Sequence, residues 1–277
     1  MAISNVDGIV DALANNSSRM IIDKASIANM TAGGFASLWR ATGQPAQGAI
    51  PTAAAVPTNA TTGAISFVNQ TAPVSSYIGW LNANSPNGGT NIEIVDRLSH
   101  FGGLVLNVTT QQNITGLDLS TLGVVAARLG DANYSDVQWF LEVYADGGGT
   151  ASNATINVTY NDATTGNLNV VAVGGTLRAS RLIPLTPLIP TGQQGKYIRG
   201  INNVTLSAST GTAGNFGFTA VRPRTSVALN LGNKTEAFDW AQLGFPEVAN
   251  DSCLQFIMVC ITTSTGTLRG GGKIAHG

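Results

Sequence analysis

The stretch that decides the fold reads ATINVTY at residues 154–160, NDATTGN at residues 161–167 and NLNVVAV at residues 167–173. Polar and apolar residues alternate in the two outer segments, and Val, Ile and Thr are frequent there. This pattern is typical of β-strands with one buried face. The Asn, Asp and Gly residues between the two segments favour a tight turn. The stretch therefore predicts an antiparallel β-hairpin.

The same period of two recurs on both sides of this hairpin. It is found again at residues 104–110, 137–144, 203–209, 217–221 and 253–262. Turns rich in glycine and asparagine separate many of these segments. Short strands joined by such turns predict a mainly β protein, an antiparallel β-sandwich with a jelly-roll-like arrangement.

Helical spacing is confined to short segments. Residues 7–14 and 20–30 place apolar side chains three or four positions apart, which indicates short helices before the sandwich. Residues 236–244 predict a helical turn near the end. The strongest helix signal covers residues 91–101, where Glu93 precedes a basic residue by four positions and glycines follow.

Residues 41–92 carry no charged side chain and contain five prolines. Such a composition disfavours a long helix and indicates an extended arm that lies on a surface. Tyr77, Ile78, Trp80 and Leu81 are its apolar anchors. We therefore expect two regions: residues 1–90 with short helices and the arm, and residues 91–277 with the sandwich and its first short helix at 91–101.

Charge is scarce in the chain as a whole. The 277 residues include 14 Lys and Arg and 15 Asp and Glu, so the net charge is −1 and 10% of residues are charged. A typical soluble domain has about 25% charged residues. The absence of a basic surplus excludes a phosphate-tracking nucleic-acid binder, and 43% hydrophobic residues exclude disorder. No apolar run approaches the about 20 residues of a membrane helix, and residues 1–14 lack the features of a signal peptide.

No pattern of residues predicts catalysis. His100 and His276 are the only two histidines, and neither lies in the spacing of a metal site. Residues 131–142 match a calcium loop in part, but Asp136 stands where that loop requires glycine. Residues 270–273, GGGK, lack the remainder of a phosphate loop and are interpreted as a flexible tail. The sequence thus predicts a protein that is not an enzyme, with no catalytic, cofactor-binding or metal-binding residues. Cys253 and Cys260 are expected to be buried thiols.

Several segments resemble head-associated structural proteins of tailed bacteriophages. These segments are residues 91–104, 178–185, 205–223 and 253–261, and in order they cover most of residues 90–277. The resemblance implies a virion protein that is made in the bacterial host cytoplasm. Its implied role is that of a decoration or cement protein on the outer capsid shell, where such proteins often form trimers. The major capsid proteins of such phages have a long spine helix, which this sequence does not contain.

Three functions remain open at this point. The first is a decoration protein that forms homo-oligomers and clamps the major capsid protein, with Trp39, Tyr77 and Trp80 as interface anchors. The second is a carbohydrate-binding fibre or head-surface adhesion module. The third is a subunit of the capsid shell or of the tail tube.

Overall fold

The computed structural model describes residues 3–175 and 177–277. Strands dominate this part of the chain: β1 (Ser17–Lys24), β2 (Phe35–Ser37), β3 (Gly43–Gln44), β4 (Ser76–Asn84), β5 (Thr90–Leu104), β6 (Gln112–Asn113), β7 (Gln138–Ala145), β8 (Ala151–Tyr160), β9 (Thr165–Asn167), β10 (Val171–Gly174), β11 (Arg181–Pro184), β12 (Ile198–Leu206), β13 (Asn215–Leu229), β14 (Glu236–Asp239), β15 (Glu247–Val248), β16 (Leu254–Val259) and β17 (Leu268–His276). The helices are α1 (Val6–Asn15), α2 (Ala126–Leu129) and α3 (Trp240–Leu243). Single 3-10 turns cover Leu38–Arg40, Thr186–Leu188 and Thr191–Gln193. The prediction of a mainly β protein with antiparallel sheets is confirmed.

The chain divides into two compact units. Unit 1 contains the residues up to Ala49, Thr58–Asp96 and Pro223–Gly277, and unit 2 contains Ile50–Pro57 and Arg97–Arg222. The two long strands β5 and β13 each contribute residues to both units. Neither unit begins or ends at residue 90, the boundary expected from the sequence. Strand β1 pairs with β17, so both ends of the chain belong to unit 1.

Unit 1 is built around a six-stranded sheet. The strand order is β14-β4-β17-β1-β3, and β15 also pairs with β4. A second group of strands is formed by β2, β16 and the start of β5. Side chains from both groups, such as Ile78 and Leu268 from the first and Ile94 and Phe256 from the second, form one hydrophobic core.

Unit 2 also contains two groups of strands, and it has a separate core. The strands β10-β8-β12-β6 form one sheet, in which β9 also pairs with β8, while β7 pairs with β11 and with the start of β13. Ile156 and Val158 of β8 and Trp139 and Phe218 of the second group meet in this core. The hairpin expected at residues 154–173 is present, but the jelly-roll-like strand arrangement is not confirmed.

Residues 91–101 lie in strand β5, so the short helix predicted there is wrong. Ile92, Ile94 and Val95 are β-branched, and such side chains pack well on a sheet. Most of β5 is buried, and a strand without an exposed face loses the alternation that distinguishes it from a helix. The spacing of Glu93 and Arg97 therefore does not mark a helical ion pair.

Residues 41–92 do not form a separate arm. Strand β3 pairs with β1, and β4 lies between β14 and β17 inside the six-stranded sheet. Two of the expected anchors, Ile78 and Leu81, belong to the core of unit 1. Residues 45–75, all of them described, form the longest stretch of this region without a named strand or helix, as the proline-rich composition predicts.

The helix predictions in the first forty residues are half correct. The expectation for residues 7–14 is confirmed by α1, which Asn5 caps by accepting a hydrogen bond from the Gly8 amide. Residues 20–30 begin instead in strand β1, in which buried and exposed residues alternate. Near the C-terminus, α3 provides the expected helical turn, and Asp239 and Gln242 form a capping box at its start.

Lys24 at the end of β1 is a buried cation in unit 1, with 2% of its surface exposed. Its Nζ donates hydrogen bonds to the carbonyl oxygens of Ala41 at 3.1 Å and Pro45 at 2.6 Å. Among the described residues no carboxylate forms an ion pair with it. Burial therefore lowers the pKa of Lys24 to about 8.

The lowered pKa of Lys24 makes folding pH-dependent. In the unfolded chain the amine keeps its ordinary pKa of about 10.4, so between pH 8 and pH 10 the unfolded state binds more protons. We expect this group to raise the free energy of unfolding as the pH rises from 8 to 10. Urea denaturation at pH 7, 8, 9 and 10 measures the slope, which Lys24→Met should reduce. Lys196→Met, a change at a solvent-accessible lysine, is the control; an equal slope in wild type and Lys24→Met would contradict this prediction.

Candidate functional site

Trp39 lies in the interior and offers no surface to a partner. Its indole is 1% exposed, and its Nε1 donates a hydrogen bond to the Ala49 carbonyl oxygen at 2.9 Å. The ring packs directly on two glycines: a Cβ at Gly48 would lie 2.1 Å from Trp39 Cε2, and one at Gly63 would lie 2.8 Å from Cζ3. Of the three expected interface anchors, Trp39 is therefore a core residue of unit 1.

Tyr77 and Trp80 occupy a half-exposed aromatic region on β4. The Tyr77 ring stacks on Phe245, with ring centroids 4.6 Å apart and an interplanar angle of 4°. Trp240 of α3 meets the same Phe245 ring edge-on at 6.3 Å. The structure thus brings Tyr77 and Trp80 to one side of unit 1, together with Trp240, which the sequence did not single out.

Helix α1 packs against this region because glycine at position 79 leaves room for it. A Cβ at Gly79 would lie 2.7 Å from Leu13 Cδ2. The pairing of β4 with β17 shifts at this point, from Lys273 opposite Trp80 to Ile274 opposite Ile78. Gly79 is therefore the additional residue of a β-bulge, a feature that redirects neighbouring side chains.

An apolar cleft of about 460 Å³ opens between α1, β4 and α3. It is lined by Val10, Leu13, Ala14, Gly79, Trp80, Asp239, Trp240 and Lys273. Ile9 and Ala12 of α1 face the interior, whereas Val6 and Val10 are 55% and 58% exposed. Clefts that combine tryptophans with uncovered aliphatic side chains are typical of protein interaction sites. This apolar cleft is the candidate functional site of unit 1.

Unit 2 contains a buried polar network centred on Arg97. Its Nη2 donates to Glu142 Oε2 at 2.6 Å and to the Tyr144 hydroxyl at 2.9 Å, and its Nε donates to His100 Nδ1 at 3.0 Å. The Thr219 hydroxyl donates a further hydrogen bond to Glu142. Both members of the Arg97–Glu142 ion pair are fully buried, with 0% side-chain exposure.

Burial governs the protonation of this network. Desolvation, together with the positive charge of Arg97, lowers the pKa of His100 to about 3. Desolvation and the negative charge of Glu142 raise the pKa of Tyr144 far above its ordinary value. His100 is therefore neutral at physiological pH, and its Nδ1 accepts the hydrogen bond from Arg97 Nε. Because the ion pair is closed to solvent, we assign the network a structural role, in which it joins strands β5, β7 and β13.

His276 is part of a second polar contact, which holds the C-terminal strand. Its Nε2 lies 2.7 Å from Ser18 Oγ, and its Nδ1 lies 2.9 Å from Ser76 Oγ. Burial lowers the pKa of His276. With both ring nitrogens hydrogen-bonded to serine hydroxyls, this histidine joins β1, β4 and β17.

In the part of the chain that the structure describes, no group of three or more His, Cys, Asp or Glu side chains could hold a metal ion. No helix in the described ranges is both long enough and apolar enough to cross a membrane. Cys253 and Cys260 are both buried, and no disulfide joins them.

Comparisons with known proteins do not identify a family. No protein-family model matches this chain, and no curated protein matches it. Among solved structures, a VP2 subviral particle of infectious bursal disease virus aligns over 97% of this chain and 85% of its own, at 11% identity and a TM-score of 0.18. The Gt strain of the same virus aligns over 94% and 81%, at 11% identity and a TM-score of 0.17. Scores this low do not establish a common fold.

The Arg97–Glu142 pair predicts a large loss of stability when one partner is neutralised. Glu142→Gln leaves the Arg97 charge buried without its counter-ion, which should lower the free energy of unfolding by about 3–5 kcal/mol in urea denaturation. Arg178→Gln removes an exposed pair with Asp146, whose side chains are 36% and 56% exposed, and should cost less than about 1 kcal/mol. Equal effects of the two substitutions would refute the structural role of the buried pair.

Proposed function

We propose that this protein is a structural component of a virus particle, and more specifically a decoration or cement protein of a tailed bacteriophage. In this role it forms homo-oligomers, of which a trimer is one form, and holds neighbouring subunits of the major capsid protein. It performs no chemical reaction. The observation that supports this proposal most directly is the apolar cleft, in which α1 leaves Val10 uncovered beside Trp80 and Trp240.

Composition adds to this support. With 10% charged residues, the chain has few ions to desolvate when its surface is covered by neighbours. Part of that small number is interior: Arg97, Glu142, Lys24 and Arg128 are buried. The remaining surface is made largely of uncharged amides and hydroxyls. Such a surface suits a protein that lies against many copies of other subunits.

The mechanism is mechanical. Tryptophan side chains are common hot spots of protein interfaces because they bury a large area with little loss of conformational entropy. The cleft between α1, β4 and α3 can accept an apolar side chain of a neighbouring subunit, with Trp80 and Trp240 as its walls. Residues 41–92 cannot act as a detachable clamp, because β4 is an inner strand of the sheet. In this proposal, α1 and the cleft therefore bind the neighbouring subunits.

The number of copies in a purified particle tests the role as a whole. Quantitative mass spectrometry against an internal standard should find this chain in hundreds of copies per virion, as expected for a protein repeated over the capsid surface. Tens of copies would instead point to a fibre or adhesion module. Its absence from particles would overturn the proposal.

The apolar cleft predicts a selective effect of charge. Val10→Lys places an ammonium group at the cleft, and this group would have to be desolvated on binding. We expect at least a tenfold loss of affinity in co-sedimentation with particles that lack this protein, and a lower mass of the oligomer in light scattering.

Val170→Lys is the matched control, because Val170 in unit 2 is also 58% exposed. This variant should bind and assemble like the wild type. If Val10→Lys retains full binding and the wild-type mass while its thermal unfolding is unchanged, the cleft is not the interface.

A further inference from the structure

A second depression lies on the outer face of the six-stranded sheet, and we call it the polar groove. It has a volume of about 580 Å³ and lies on strands β1, β17 and β4. It is lined by Arg19, Met20, Trp80, Asn82, Asn84, Thr235, Arg269, Gly270, Gly271, Gly272 and Lys273. Most of the side chains that line the polar groove are polar or cationic, whereas those that line the apolar cleft are mostly apolar.

The strand register explains why a groove forms here. Gly271 is paired with Ile21 of β1 on one side and with Asn82 of β4 on the other. Adjacent strands are about 4.8 Å apart, so the two flanking side chains stand about 10 Å from each other with no side chain between them. This gap is wide enough for one sugar ring, and its floor is the glycine backbone.

Asn82 supplies an acceptor that lacks a partner. Its side-chain Oδ1 is buried and makes no hydrogen bond to any described residue. A buried carbonyl oxygen in this state is unusual in a folded protein and requires a donor. Because the atom itself is covered, a ligand hydroxyl or amine group in the groove reaches it only when the neighbouring side chains move aside.

Arg19 supplies a cation that is free to bind an anion. It is exposed and, among the described residues, forms no ion pair. The other two cations of the groove are engaged: Arg269 Nε lies 3.2 Å from Asp23 Oδ1, and Lys273 Nζ donates to the Leu13 carbonyl oxygen at 2.6 Å. A guanidinium group binds a carboxylate through two parallel hydrogen bonds.

Trp80 adds a half-exposed aromatic ring at the same end of the groove. In the sheet register Lys273 is paired with both Arg19 and Trp80, so these three residues form one row across the strands. An aromatic ring beside convergent polar groups is typical of small-ligand sites, in which the apolar face of the ligand covers the ring.

We propose that the polar groove binds an acidic saccharide, such as a uronic acid unit of a surface polysaccharide. Its carboxylate pairs with Arg19, one of its ring hydroxyls donates to Asn82 Oδ1, and its apolar face covers Trp80. An inorganic anion such as sulfate would satisfy only Arg19. This proposal does not rest on the proposed capsid role: the groove lies on the open sheet face, although it shares Trp80 and Lys273 with the apolar cleft.

Isothermal titration of the full chain with trigalacturonic acid tests the proposal. We expect saturable binding, and at least a tenfold weaker affinity in Arg19→Gln, since Arg19 is exposed and its substitution leaves the fold intact. Asn82→Ala should weaken binding to a similar degree. Arg178→Gln removes the same charge from unit 2 and should leave the affinity unchanged. The neutral analogue galactotriose should bind at least tenfold more weakly than the acid.

Three results would overturn the proposal. The first is the absence of saturable binding of trigalacturonic acid by the wild type. The second is binding that Arg19→Gln and Arg178→Gln reduce equally, which would indicate nonspecific attraction to charge. The third is full competition by sodium sulfate at equal concentration, which would show an anion site without recognition of the sugar. None of these results affects the copy number in the particle, so they leave the proposed capsid role standing.

Discussion

Unit 1 depends on the close approach of three strands around the glycines of β17. A Cβ at Gly272 would lie 2.2 Å from Met20 Cε and 2.6 Å from the Trp80 carbonyl oxygen, and one at Gly270 would lie 2.1 Å from the Asn82 carbonyl oxygen. No side chain fits at either position, so only glycine lets β1 and β4 pair with β17 on both sides. This pairing joins the two ends of the chain and sets which residues face the interior. It also places α1 beside β4 and leaves the open face on which the polar groove lies.

The sequence predicts local pairing well and distant pairing poorly. The hairpin around residues 154–173 can be predicted because Ile156 and Val158 face a core whereas Asn157 between them does not, which produces the alternation of a strand. The glycine run at 270–273 is interpreted as a flexible tail, yet it forms the central strand of a sheet. Nothing near these glycines reveals their partners, because β1 lies about two hundred and fifty positions away in the sequence. Register over such a distance depends on the complementarity of surfaces, which a single sequence does not display.

The candidate site was predictable only in part, and for a related reason. Tyr77 and Trp80 stand out as aromatic residues in a segment without charge, and both lie where a partner could reach them. Trp39 stands out equally, but its ring packs on Gly48 and Gly63, and the sequence does not reveal these contacts. Val10 and Trp240 were missed because an uncovered apolar residue on a short helix has the same pattern as a buried one. Only the packing of α1 shows which of its apolar residues remain outside.

Trp80 links the two binding regions of unit 1. Its side chain is shared by the apolar cleft and the polar groove, as is that of Lys273. Lys273 also holds α1 in place through the Leu13 carbonyl oxygen, so it connects the helix that forms one wall of the cleft to the sheet that forms the floor of the groove. A ligand in either region therefore contacts the same ring. Because binding free energies are reciprocal, any factor by which a subunit seated in the cleft alters the affinity of the groove equals the factor by which a saccharide in the groove alters the affinity of the cleft.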